Sequence, residues 1–179
     1  MKLYITRHGH TNYNELGLSN ADPSVDVYLT KLGKQQAQQL AESLKDVELD
    51  VIIVSHLKRT RETADIINQY HHVPIRVDKR IGDNITGFEG RPVSEYFAAR
   101  DAAPDKWAFK PAGAESRYDV RERVANFLDD LRKASYSTAL VVAHQSVNRQ
   151  ITALLENLTG PEVEEFDLPQ GNFKMFELH

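Results

Sequence analysis

Short runs of aliphatic and β-branched residues alternate along this chain with stretches of helical periodicity, and that alternation narrows the fold more than any other feature. Leu3 to Thr6, Val51 to Val54, Val73 to Val77 and Ala139 to Ala143 read as strands, and two of them, Val51 to Val54 and Ala139 to Ala143, are apolar throughout, the pattern of strands buried on both faces. Thr30 supplies an N-cap for a helix whose apolar positions are Leu32, Ala37, Leu40, Ala41 and Leu44. Arg59 to Tyr70 follows as a helix with Ala64, Ile66, Ile67 and Tyr70 on one side. The clearest helix is Ser116 to Leu131, with Val120, Val124, Phe127, Leu128 and Leu131 on one face and Ser116 with Asp119 as a capping-box start. Val147 to Leu158 is a further helix, and Asn172 to Leu178 an edge strand. The predicted fold class is α/β, a three-layer α/β/α sandwich with a mostly parallel central sheet. At 179 residues, with no repeat or linker to divide them, residues 1–179 are expected to form one domain.

The composition removes several chemistries. With no cysteine, there can be no disulfide, thiolate–metal site or cysteine nucleophile. A net charge of −4 lacks the basic field that nonspecific nucleic-acid binding needs, so any bound anion should be small and locally held. The opening run is interrupted by Arg7 and His8 before it reaches the length of a signal h-region, and no stretch is as long as a membrane span. The expected protein is soluble and cytoplasmic, with neither nucleic acid nor membrane as partner; its oligomeric state is left open.

In parallel sheets ligands bind beyond the carboxyl ends of the strands. Three strand ends here carry suggestive residues: Arg7-His8-Gly9-His10-Thr11, Ser55-His56-Leu57-Lys58-Arg59, and His144. Lys58, Arg59 and Arg61 crowd the start of a predicted helix, where the helix dipole disfavours cations and an anion would compensate. Arg7 beside His8 favours the neutral imidazole, a usable nucleophile or base. A phosphate group answers both features: arginine forks match its oxygens, and Gly9 lets the backbone approach.

Together with Asn14, Leu29-Thr30, Gly33, Gln36-Ala37, Thr63-Ala64, Gly113, Glu115-Ser116, Arg123 and Val141-Val142-Ala143, these blocks resemble the histidine phosphatase superfamily, its phosphoglycerate mutase-like branch, from Lys2 to about Arg149. The resemblance implies that His8 attacks phosphorus and becomes phosphohistidine. It further implies that Arg7, Arg59 and His144 bind the phosphoryl oxygens, with Asn14 and Ser55 at positions near that pocket. Ordinary loop capping and turn formation account equally well for the last two.

The chain departs from the family pattern at the general acid, normally a glutamate. Asp83, in Ile81-Gly82-Asp83-Asn84-Ile85-Thr86-Gly87-Phe88-Glu89-Gly90, is the carboxylate that aligns, with Glu89 or Asp78 as competitors. Gln145 stands where a glycine is frequent after the second histidine, and is expected to narrow the pocket or bond the phosphate. Residues 91–112 are short for the cap of a mutase and read as a short cap or substrate loop, with Tyr96, Phe97, Arg100, Lys106, Trp107, Phe109 and Lys110. The implied activity is hydrolysis of small phosphomonoesters with no cofactor and no metal, since the His8/His10 pair lacks a third ligand. Mutase-type phosphoryl transfer and a non-catalytic phospholigand-binding domain remain as alternatives. His56, His71, His72 and His179 read as packing or surface residues.

Overall fold

The computed structural model describes the backbone of residues 1–179 and every side chain except that of Pro161. Its elements in chain order are β1 (Lys2–Arg7), α1 (Asn12–Leu16), α2 (Lys31–Leu44), β2 (Val51–Val54), α3 (Lys58–Ile67) and β3 (Ile75–Val77), then a 3-10 turn at Lys79–Ile81. After it come α4 (Val93–Asp101), α5 (Arg117–Arg132), β4 (Thr138–Ala143), α6 (Gln145–Glu156), α7 (Pro161–Glu165) and β5 (Phe173–Glu177). The five strands lie in the order β3-β2-β4-β1-β5, parallel except for β5, which runs antiparallel to β1 at the edge.

Strand alternation distributes the core over both faces. Leu3, Ile5, Val51, Ile53, Ala139 and Val141 pack with Val120, Val124, Phe127, Leu128 and Leu131 of α5 and with Val147 and Ile151 of α6. On the other face Ile52, Val54, Leu140 and Val142 meet Leu40, Ala41 and Leu44 of α2 and Ala64 and Ile67 of α3. A strand covered by helices on both sides favours apolar residues on both its faces, hence the apolar runs Val51–Val54 in β2 and Ala139–Ala143 in β4. The three-layer arrangement is therefore the one expected. Among the described residues no helix is long and apolar enough to cross a membrane.

The two anticipated caps are present. Thr30 Oγ1 accepts from Gly33 N at 3.2 Å, and Ser116 and Asp119 close a reciprocal box. Helix α3 stops at Ile67 rather than Tyr70 because Asn68 binds both Val73 N and Val73 O at 2.9 Å, which offers the backbone a turn in place of another helical bond. Helix α6 begins at Gln145, directly after His144, and ends at Asn157 in the left-handed conformation (φ 57°).

The loop after β1 rests on the start of α2 through a glycine pair. A Cβ on Gly33 would lie 2.0 Å from His10 O, and one on Gly9 would lie 2.4 Å from Gly33 O. Both obstacles are backbone, so neither yields by a rotamer change. Gly33→Ala should destabilise by about 2–3 kcal/mol, at the upper end of ordinary overpacking. In a thermal melt that corresponds to a fall in Tm of roughly 4–12 °C for a chain of this size, and an unchanged Tm would show the contact to be looser than described.

Candidate active site

Register decides which strand ends meet. Pairing of Arg7 with Ala143 places His8 beside His144, and His8 N donates to Ala143 O at 3.0 Å; the ring centroids are 5.1 Å apart. Pairing of Val54 with Val142 brings Ser55 to the same end of the sheet. Helix α3 contributes Arg59 and holds the His8 loop, since Thr63 Oγ1 accepts from Gly9 N at 3.0 Å and donates to Arg59 O at 2.8 Å.

Two partners fix the His8 tautomer. Gly9 O, which can only accept, lies 2.8 Å from Nδ1, so Nδ1 carries the proton. Arg59 Nε, which can only donate, lies 3.2 Å from Nε2, so Nε2 presents its lone pair. Burial, followed by Arg59, His144 and Arg7, pushes the His8 pKa well below its ordinary value of 6.5. His144 is pushed down likewise, by burial and then Arg59, Arg123 and Arg7. Both rings are neutral near pH 7.

These groups surround one cavity of about 460 Å³, whose wall includes Arg7, His8, Asn14, Asn20, Arg59 and Asp83. Arg59 also donates to Asn20 O at 2.9 Å and to Asp83 Oδ2 at 3.1 Å. Half-buried Arg7 leaves its buried Nε without a partner among the described residues. Two guanidiniums and a nitrogen lone pair converging on one hollow can bind a small oxyanion and attack its central atom.

Asp83 lies at this hollow and Glu89 does not. Glu89 Oε1 accepts from Thr86 N at 2.8 Å and from Thr86 Oγ1 at 3.2 Å, tying its own turn, while Asp78 pairs with Arg80 at 2.7 Å. The loop bearing Asp83 is pinned by Arg123, which donates to Gly82 O at 2.9 Å and Asp83 O at 3.2 Å while paired with Glu115.

Other expected positions turn out differently. His144 is fully buried and absent from the open wall, with Nδ1 3.5 Å from Asp83 Oδ2. Ser55, expected beside the phosphate, instead stands behind His144, 2.9 Å from its Nε2, and accepts from Leu57 N. Asn14 reaches the cavity wall, but its Oδ1 closes a capping box with Thr11 and accepts from Gln170. Gln145 stands in the cavity wall, where it was expected to narrow the pocket, while its amide braces the α7–β5 connection by donating to Phe166 O at 3.0 Å and accepting from Leu168 N at 3.3 Å. His10 turns to Thr30 Oγ1 at 3.1 Å. Among the described residues no group of three or more His, Asp or Glu is placed to hold a metal ion.

Residues 91–112 contribute Val93, Tyr96 and Phe97 to the wall. Arg100 and Lys106 are paired with Asp101, and Lys110 with Asp119. Sequence reasoning missed Asn20 and Ser146, and the far wall formed by Arg117, Arg149, Gln150, Glu164 and Asp167. A polar residue two places after His144 was the available signal for Ser146.

The class so defined is an α/β protein whose strand ends gather a histidine ring nitrogen and two guanidiniums at one hollow. The chain belongs to the histidine phosphatase superfamily (branch 1), whose model matches residues 3–179. It is 31% identical to the Bacillus subtilis protein named uncharacterized phosphatase PhoE, over 89% of this chain and 78% of the relative. It is 30% identical to phosphoserine phosphatase 1 of Hydrogenobacter thermophilus, over 93% of this chain and 80% of that one. The crystal structure of the alpha-ribazole phosphatase from Shigella flexneri superposes with a TM-score of 0.87 at 26% identity, covering 99% of this chain and 90% of that one.

Proposed function

We propose that the protein is a cytoplasmic phosphatase that hydrolyses small phosphomonoesters through a phosphohistidine at His8. The observation that carries this reading is the tautomer of His8: the proton lies on Nδ1 and the Nε2 lone pair faces Arg59 at the cavity. An incoming phosphoryl group is a stronger acceptor for Arg59 than an imidazole nitrogen is, so substrate binding frees the attacking lone pair.

His8 Nε2 then forms a bond to phosphorus as the ester P–O bond breaks, and Asp83, which takes a proton from solvent once the phosphoryl group has drawn Arg59 away from its carboxylate, gives that proton to the departing alkoxide. Water next attacks phosphorus, Asp83 takes the water proton, the P–N bond breaks, and inorganic phosphate leaves with His8 restored. Arg7 and Arg59 neutralise the oxygens in both steps, and neutral His144, buried behind them, adds a ring nitrogen rather than a charge where its Nδ1 faces Asp83. Ser55 holds His144 from behind and Asn14 shapes the wall. Residues 1–179 act as one catalytic domain in this reading, with Val93, Tyr96 and Phe97 of segment 91–112 covering the substrate.

The test is release of inorganic phosphate from a panel of phosphorylated metabolites and from p-nitrophenyl phosphate. Turnover should persist in EDTA and be inhibited by vanadate, which the Arg7/Arg59 pair can hold as a five-coordinate oxyanion. Loss of activity in EDTA with recovery on adding Mg²⁺ or Zn²⁺ would overturn the metal-free part of the scheme.

A further inference from the structure

Asp83 has one methylene fewer than the glutamate this position normally carries in the family, and its reach must be set by something other than chain length. Its carboxylate accepts from three separate places. Ser146, in the first turn of α6, donates to Oδ1 at 2.7 Å, and Asn84 N donates to the same oxygen at 2.9 Å. Arg59 donates to the other oxygen, Oδ2, at 3.1 Å. Two donors already fill Oδ1, while Oδ2 faces the phosphate-side groups Arg59 and His144.

These bonds respond differently to substrate. The Arg59 bond competes with the phosphoryl group for the same guanidinium, whereas Ser146 is carried by a helix whose buried Val147 and Ile151 are set in the core. We infer that Ser146 is a positioning residue that clamps Asp83 through Oδ1, so that Oδ2 is the oxygen that passes the proton to the leaving group and later takes it from water. This rests on the proposed role of Asp83 as proton donor. The serine compensates for the shorter acid: the family frame fixes the loop through Arg123, and Ser146 fixes the carboxylate itself.

The experiment compares Ser146→Ala, Ser146→Thr, Asp83→Asn and the Ser146→Ala/Asp83→Asn double variant on an alkyl phosphate and on p-nitrophenyl phosphate, with vanadate inhibition as a measure of the intact anion pocket. Ser146→Ala should lower kcat on the alkyl ester about 10-fold with little change in KM, a loss of the size expected when a proton donor is loosened. On p-nitrophenyl phosphate the loss should be within about 2-fold, since that leaving group needs little protonation. Threonine, which keeps the hydroxyl, should restore the alkyl rate, and in the double variant the serine change should add nothing to Asp83→Asn.

If Ser146→Ala instead weakens KM and vanadate inhibition equally for both esters, Ser146 is a phosphate ligand and the clamp is wrong. If Asp83→Asn shows the leaving-group pattern and Ser146→Ala does not, the clamp alone fails. If Asp83→Asn shows no such pattern, the acid assignment fails and takes the clamp with it.

Discussion

His8→Ala should reduce phosphatase activity by on the order of 10⁴- to 10⁶-fold on every ester, activated or not, as loss of a nucleophile does in covalent hydrolases. The effect is independent of leaving group because without the N–P bond neither an activated nor an unactivated ester is cleaved, however readily its alkoxide is protonated. Quenching wild-type protein during turnover of a labelled ester should trap a phosphoryl adduct that is acid-labile and alkali-stable, as a phosphoramidate is, and His8→Ala should trap none. An alkali-labile adduct would identify an acyl phosphate and end the His8 assignment. In the free protein, nitrogen NMR should find His8 as the Nδ1–H tautomer and still neutral at its ordinary pKa of 6.5, since burial and then Arg59, His144 and Arg7 oppose the imidazolium. The same depression has a stability consequence. Unfolded His8 and His144 take up protons below about pH 6.5 while the folded rings do not, so stability present above that pH is lost as pH falls towards the folded values.

Much of this site was legible because register does the assembly. Once Leu3 to Thr6, Val51 to Val54 and Ala139 to Ala143 are read as parallel strands, whatever follows them shares one edge, and His8, Ser55 and His144 follow them. The short helices were not legible. Helix α1 has five residues and no buried ones, and α4 has an almost featureless amphipathic pattern, so both are set by tertiary contacts rather than by local periodicity. The cation-rich start of α3 was over-read. Lys58 meets Asp26 at 2.6 Å and Arg61 meets Asp65 at 2.9 Å, both near the surface, and only Arg59 turns inward to the cavity. Exposed pairs of that kind contribute little to stability, and sequence cannot say which of three cations will be buried. Ser55 shows the same limit, since strand-end placement specifies which edge it occupies but not whether it meets the ligand or the histidine behind it.

Asp83→Asn should separate proton donation from phosphoryl transfer. The amide keeps an oxygen for Ser146 and Asn84 N but has no proton to give an alkoxide and cannot activate water as a carboxylate does. The kcat for alkyl phosphates should fall about 10²- to 10⁴-fold, the usual contribution of a positioned acid. On p-nitrophenyl phosphate the first step needs little help, so the defect should shrink there while His8→Ala stays inactive on both. Anion binding should move the other way. In the wild-type protein the Asp83 carboxylate occupies Arg59 at 3.1 Å, and removing that negative charge should leave vanadate and phosphate bound at least as tightly as before. A misfolded variant would lose that binding, which distinguishes damage from chemistry. Glu89→Gln is the matched control: its oxygen serves Thr86 and lies off the cavity wall, so both rates should be unchanged. If Glu89→Gln reproduces the leaving-group pattern while Asp83→Asn leaves both rates intact, the proton donor is Glu89. The turn at Thr86 must then open during catalysis to bring that carboxyl group to the phosphate, with His8 still the nucleophile.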